Sequence, residues 1–183
     1  MHALACALLP RNEIDKVRYF TAQVSARPHD LDQPQRQQTY FRALSTVPEI
    51  EIHFGHFLTH EVSMPDAAAW NAGRYRPVRV IKTEEKGSDV NLATHLLMDA
   101  VDNLFEVAII ISNDSDLKAP IAQVRDRFRK KIGLLSPRDA RISRALLPLA
   151  DFVKRFGNHA LAAAQFPPQL TDSVGALQKP AGW

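Results

Sequence analysis

Apolar and polar positions along this chain fall into an alternation of short β-type runs and longer helix-type segments. Residues 2–9, "HALACALL", have helical spacing and are stopped by Pro10. "KVRYFTAQV", 16–24, is rich in β-branched and aromatic residues and predicts a strand. "QPQRQQTYFRALST", 33–46, predicts a helix with Tyr40, Phe41 and Leu44 towards the core, and "IEIHFGHFL", 50–58, alternates with period two as a strand does. Residues 59–77 carry Pro65, Gly73 and Pro77 and predict a long excursion with a helical turn at "PDAAAW", followed by a short strand at 78–82. The segment 88–105 is the strongest helix, with an apolar stripe through Val90, Ala93, Leu97, Val101 and Leu104. A continuous apolar strand at 107–112 comes next, then a helix at 119–131 and a strand at 132–136. A helix around "ISRALLPLA" and a strand "DFVKRF" close the pattern. Strands alternating with helices mean βαβ units. The expectation is an α/β protein of three layers, α/β/α, with a mostly parallel, Rossmann-like central sheet.

At 183 residues the chain suits one domain with a core large enough to need no staples. The expected division is a domain over 1–160 and an extended or disordered tail over 161–183, where prolines cluster and periodicity fades. Cys6 is the only cysteine, which excludes an intramolecular disulfide and a cysteine-rich zinc site. The apolar N-terminus lacks the basic flank of a signal peptide, and no run approaches the roughly eighteen apolar residues of a membrane span. The expectation is a cytoplasmic protein without a membrane partner. The formal charge of +3 permits a polyanionic partner without demonstrating one.

Chemistry concentrates where the strand 107–112 ends in "SNDSDL", 112–117. Asp114 and Asp116 then stand at the C-terminal edge of the strand, where open parallel sheets bind ligands. Asn, Asp and Ser are also ordinary turn and cap residues, so the hexapeptide alone fits both readings. Asp89, in "KGSDVNL", likewise fits a helix cap after Gly87. Topology joins the two. A short connection makes helix 88–105 antiparallel to strand 107–112, which brings Asp89, Asp114 and Asp116 to one sheet edge. Three gathered carboxylates repel unless neutralised, and a hard divalent cation, Mg²⁺ or Mn²⁺, is the standard solution. His53 and His60 differ by an odd number in an alternating element and face opposite sides, which argues against one histidine metal site. The basic run "RDRFRKK", 125–131, fits a solvated helix face or a phosphate contact. No phosphate-loop or dinucleotide-binding glycine motif is present.

"EKGSDVNLATHLL" followed by "FEVAIIISNDSDLKAPI" resembles the core signature of the NYN domain, a PIN-like ribonuclease fold, and the resemblance covers about residues 16–156. It implies a metal-dependent ribonuclease hydrolysing RNA, with Mg²⁺ or Mn²⁺ as cofactor. Residue by residue, Asp89, Asp114 and Asp116 match the family's catalytic, metal-holding acidic positions. Ser112, Asn113 and Lys86 fall where substrate would be met, and His95 stands where many members carry a further Asp. Family members usually begin with a strand ending in an Asp-x-x-Asn motif, and no stretch here matches it. The resemblance therefore implies a domain incomplete at its N-terminus, either through a start placed too far downstream or through loss of a central strand and one metal ligand. An open sheet edge of that kind invites association into a homo-oligomer. It also keeps open a catalytically inactive RNA-binding or regulatory module of the same fold.

Overall fold

The structure, a computed structural model, describes residues 1–180. The fold is α/β, as the alternation predicts, with its parallel strands shared between two three-stranded sheets. The first sheet joins β1 (Val17–Ala22), β2 (Ile50–Pro65) and β3 (Pro77–Lys86), with β1 parallel and β3 antiparallel to β2. The second is all parallel and joins β4 (Val107–Ile110), β5 (Lys131–Pro137) and β6 (Phe152–Phe156) in that order. Among the described residues no strand links them: β1 pairs only with β2, and β4 only with β5. Five helices belong to the same body: α1 (His2–Leu8), α2 (Gln33–Leu44), α4 (Ser88–Val101), α5 (Lys118–Phe128) and α6 (Asn158–Ala163). The short α3 (Ala67–Asn71) sits apart, in the connection between β2 and β3.

The main core lies between α4, α5 and the parallel sheet, around Leu96, Leu117, Ile121, Val124, Ile132 and Leu134. β5 is buried from Ile132 to Ser136, as a strand covered on both faces is, with Ser136 the polar residue at its buried end. The first sheet is tied to α4 by charge rather than by a shared apolar cluster. Arg18 on β1 donates two hydrogen bonds of 2.7 Å to the carboxylate of Asp99 on α4, and it also pairs with Glu51 on β2. His53 on β2 lies 4.1 Å from His95 on α4, ring centre to ring centre, with Phe20 of β1 stacked on His53.

Four expectations change in detail. The stripe expected to face the core from 88–105 does so only in part: Ala93 and Leu97 pack against it, Val90, Val101 and Leu104 are 68%, 56% and 57% exposed, and Leu96 and Ala100 are the buried positions. This helix has apolar residues on more than one side, and its packing partners choose the buried face. α5 and β4 take Leu96 and Ala100, while β1 and β2 take His95 and Asp99. The excursion at 59–77 is strand in its first part, because β2 runs on to Pro65 and pairs with β3 residue for residue from His56–Lys86 to Pro65–Pro77, and the helical turn expected at "PDAAAW" is α3. The helix expected around "ISRALLPLA" is only a 3₁₀ turn at Leu147–Leu149, since Pro148 supplies no amide hydrogen for a longer ladder.

The fourth change concerns the tail. It folds back as a small hairpin, β7 (Gln169–Thr171) with β8 (Ala176–Gln178), docked on α2. Asp172 accepts two hydrogen bonds, 2.6 and 2.7 Å, from Arg42, and Leu177 is buried. Strands this short leave no readable period in a sequence. The last three residues of the tail lie outside the described residues.

Candidate active site

β3 ends at Lys86 and α4 begins at Ser88, so a single residue, Gly87, makes the turn. Gly87 has φ 99°, a left-handed backbone that L side chains rarely adopt. Glu85 organises this turn by accepting hydrogen bonds from the Ser88 hydroxyl (2.7 Å) and the Ser88 backbone N–H (3.2 Å). The helix start is thereby served from upstream, and neither Ser88 nor Asp89 caps it. Asp89 in the first turn keeps its carboxyl for other use. Gly55 of β2 lies directly beneath: a Cβ there would fall 2.3 Å from the Lys86 carbonyl oxygen and 2.6 Å from the Glu85 carboxylate. Only glycine lets the two strands approach this closely at the site.

From the other side, β4 ends at Ile110 and the chain turns through Ser112–Asn113–Asp114 into a 3₁₀ turn at Ser115–Leu117, which runs on into α5. The Ser112 hydroxyl accepts from the Asp114 N–H at 3.1 Å, and Asp114 Oδ1 accepts from the Asp116 N–H at 2.8 Å. The turn chemistry of "SNDSD" is therefore real, and it positions Asp114. Asn113 is engaged on both sides of its amide, donating to the Arg141 carbonyl (2.7 Å) and accepting from the Ser143 N–H (3.0 Å). It braces the loop after β5 against the site edge.

The two edges meet. The Asp89 and Asp114 carboxyl groups lie within hydrogen-bonding reach of one another, and the charges of Glu85 and Asp116 also bear on Asp89. Partial burial, then Asp114, then Glu85 and Asp116 push the Asp89 carboxyl above its ordinary value. Glu85 is the member that sequence reasoning did not single out; its signal was the doubled Glu ahead of "KGSD". Among the described residues no three His, Cys, Asp or Glu side chains gather at the spacing that holds a metal ion. The close set is a pair of carboxylates with two more acids around it. That all-oxygen donor set fits a hard cation, because Mg²⁺ is commonly held by one or two carboxylates and keeps several waters.

Other residues take places that separate them from this edge. His95 is drawn to His53 and Phe20 between α4 and the first sheet. The basic run at 125–131 lies at the far end of α5 from Asp116, with Arg125 bonded to the Pro148 carbonyl at 2.9 Å. Lys86 stands at the site edge, 3.5 Å from Glu84. No described helix is long and apolar enough to cross a membrane.

A family model described as the NYN domain matches residues 11–154. The chain belongs to the NYN domain family. That membership implies a nuclease-like function with RNA as the class of substrate, and NYN and PIN-like nucleases generally use divalent metals. The NYN chain is also similar to the 6-hydroxy-3-succinoylpyridine 3-monooxygenase HspA of Pseudomonas putida. The two are 26% identical over 185 aligned positions, covering 93% of this chain and 58% of that protein. The chain thus spans a little over half the length of this curated relative. A solved structure of a protein of unknown function from Vibrio parahaemolyticus aligns with a TM-score of 0.34 and 16% identity, covering 67% of this chain and 78% of that one.

Proposed function

We propose that this NYN domain hydrolyses RNA phosphodiester bonds with Mg²⁺ or Mn²⁺ held by Asp89 and Asp114, and by Asp116 through water. The observation that carries the reading is the Asp89–Asp114 juxtaposition at the C-terminal edge of β4, with Asp89 pushed up by its neighbours. A bound divalent ion would supply charge stabilisation at the phosphate and acidify a bound water. The chain's own residues do the positioning. Asp114, fixed by the Asp116 N–H, offers a preset carboxylate, and Gly55 and Gly87 let Asp89 approach it. Lys86 and the Ser112 hydroxyl, both at the site edge, would meet phosphate oxygens, while Asn113 acts by holding the Arg141–Ser143 loop.

The test is cleavage of a labelled single-stranded RNA by the full chain with Mg²⁺, with Mn²⁺ and with EDTA. Cleavage is expected with metal and lost in EDTA and in Asp114→Asn. Independently of cleavage, Mn²⁺ should raise the Tm of the wild type and leave that of Asp89→Asn unmoved, because the variant lacks half of the carboxylate pair. Equal cleavage by Asp114→Asn refutes the reading. A second reading, an RNA-binding module without catalysis, is favoured by the gathering of only two close carboxylates. RNA binding without cleavage under either metal would establish it. The activity named for the Pseudomonas relative enters as a control arm, turnover of 6-hydroxy-3-succinoylpyridine by the same preparation.

A further inference from the structure

β2 leaves its partner β1 after Gly55 and continues with β3 alone for ten paired positions, from His56–Lys86 to Pro65–Pro77. At about 3.3 Å per residue this ribbon reaches roughly 30 Å beyond the body. Between residues 56 and 86 only Ala69 is buried. The tip is nevertheless well built. Asp66 accepts from the Ala69 N–H at 2.8 Å and so caps α3, and its own N–H donates to the Arg76 carbonyl at 2.8 Å. The Arg74 N–H donates to the Ala69 carbonyl at 2.8 Å, and Gly73 turns the chain with φ 70°.

What this frame presents is aromatic and cationic. Trp70 is 63% and Tyr75 73% exposed, with exposed Arg74 and Arg76 on either side of Tyr75. Among the described residues neither arginine has a carboxylate partner, and the nearby Asp66 is engaged in its cap. By register, the body end of one ribbon face carries His56, His60, Lys82 and Lys86, with its single acid, Glu84, 2.8 Å from Lys82 and 3.5 Å from Lys86, while the tip end of that face is apolar. That face descends to Lys86, three residues before Asp89. Exposed rings beside unpaired guanidinium groups suit unstacked bases and their phosphates, since every base has a face to stack and every nucleotide a charge to meet.

We infer that the tip of this arm binds single-stranded RNA, with Trp70 and Tyr75 stacking bases and Arg74 and Arg76 meeting phosphates, and that the ribbon guides the strand towards the carboxylate edge. The inference rests on RNA being the substrate, as proposed above. The test is fluorescence anisotropy of a labelled single-stranded RNA of about 15 nucleotides, in EDTA so that the strand stays intact. It uses the full chain, the Trp70→Ala/Tyr75→Ala variant and the Arg74→Ser/Arg76→Ser variant, each checked for unchanged far-UV circular dichroism. The aromatic variant should raise Kd by roughly 5- to 150-fold per stacked base lost. The arginine variant should lower the slope of log Kd against log salt by about 0.7 per phosphate contact removed. Duplex RNA should be indifferent to the aromatic change.

Wild-type affinity in both variants, or no binding by the wild type, overturns the inference. So does a wild-type dimer that the aromatic change converts to a monomer with RNA affinity intact, which would make the arm a self-association element. Arm-dependent binding without cleavage supports the arm and removes the nuclease reading. Cleavage with arm-independent binding does the reverse.

Discussion

Replacing Arg18 should loosen the attachment of α4 to the first sheet. Its guanidinium makes a two-pronged contact with Asp99, both N–H···O distances 2.7 Å, and the two side chains are only 16% and 18% exposed. Arg18 also meets Glu51, and its Nη1 lies 3.3 Å from His53 Nε2. Asp99 and Glu51 together push the Arg18 pKa upward, chiefly through the hydrogen bonds to Asp99. Arg18→Met keeps most of the stem volume and leaves Asp99 without its counter-charge. An exposed ion pair is worth about 0–1 kcal/mol, whereas removing one partner of a buried pair costs about 3–5 kcal/mol. Exposures near one-sixth place this pair between those limits, so a loss of about 2–3 kcal/mol is expected.

In urea denaturation followed by circular dichroism, with a slope of roughly 2 kcal/mol per M, the midpoint should fall by about 1 M. Adding Asp99→Leu to Arg18→Met should recover most of the loss, because the stranded carboxylate is then gone. The double-mutant coupling should reach at least about 1 kcal/mol. Asp99 lies ten residues along α4 from Asp89, about 15 Å of helix, so RNA cleavage should fall less than stability does. A single variant within about 0.5 kcal/mol of the wild type, or a coupling near zero, refutes the electrostatic clamp.

Three further outcomes follow from the geometry. Burial, then His95 and Arg18, hold the His53 pKa below its ordinary value of 6.5. The unfolded chain therefore binds the extra proton first, so the stability present above pH 6.5 is lost as pH falls below it; a Tm series should show this slope, and His53→Phe should flatten it. Asp172 is held well below the usual carboxylate range by Arg42 and by the Val174 and Gly175 N–H groups, so the tail hairpin should stay docked through mild acid and loosen only below about pH 4. Limited proteolysis should find that hairpin protected at pH 5 in the wild type and cut in Asp172→Asn, and equal protection of both would sink the idea. Gly55→Ala should cost about 2 kcal/mol through overpacking against the Lys86 carbonyl, and it should impair metal-dependent cleavage beyond what its Tm explains by displacing Gly87 and Asp89; an unchanged rate would show that the close approach is structural only.

The sequence by itself determined the local elements and the chemistry at their ends. Apolar runs such as 132–135 have no solvent-tolerant face, and at this length between turn signals they read as buried strands. "KGSD" and "SNDSD" follow a strand and short turns whose geometry their own residues dictate, and the antiparallel return of α4 onto β4 made their meeting a matter of connectivity. What only the tertiary structure decided is which of several apolar faces a helix buries and which residues meet across distance. α4 is apolar on more than one side, so its partners α5 and β4, not its period, chose Leu96 and Ala100. The Arg18–Asp99 clamp spans 81 positions, and Arg42–Asp172 spans 130. Gly55 matters because Lys86 happens to pass above it. Pairings of this kind depend on the summed placement of every intervening element, and a single residue carries no local mark of a partner that only the completed fold brings to it.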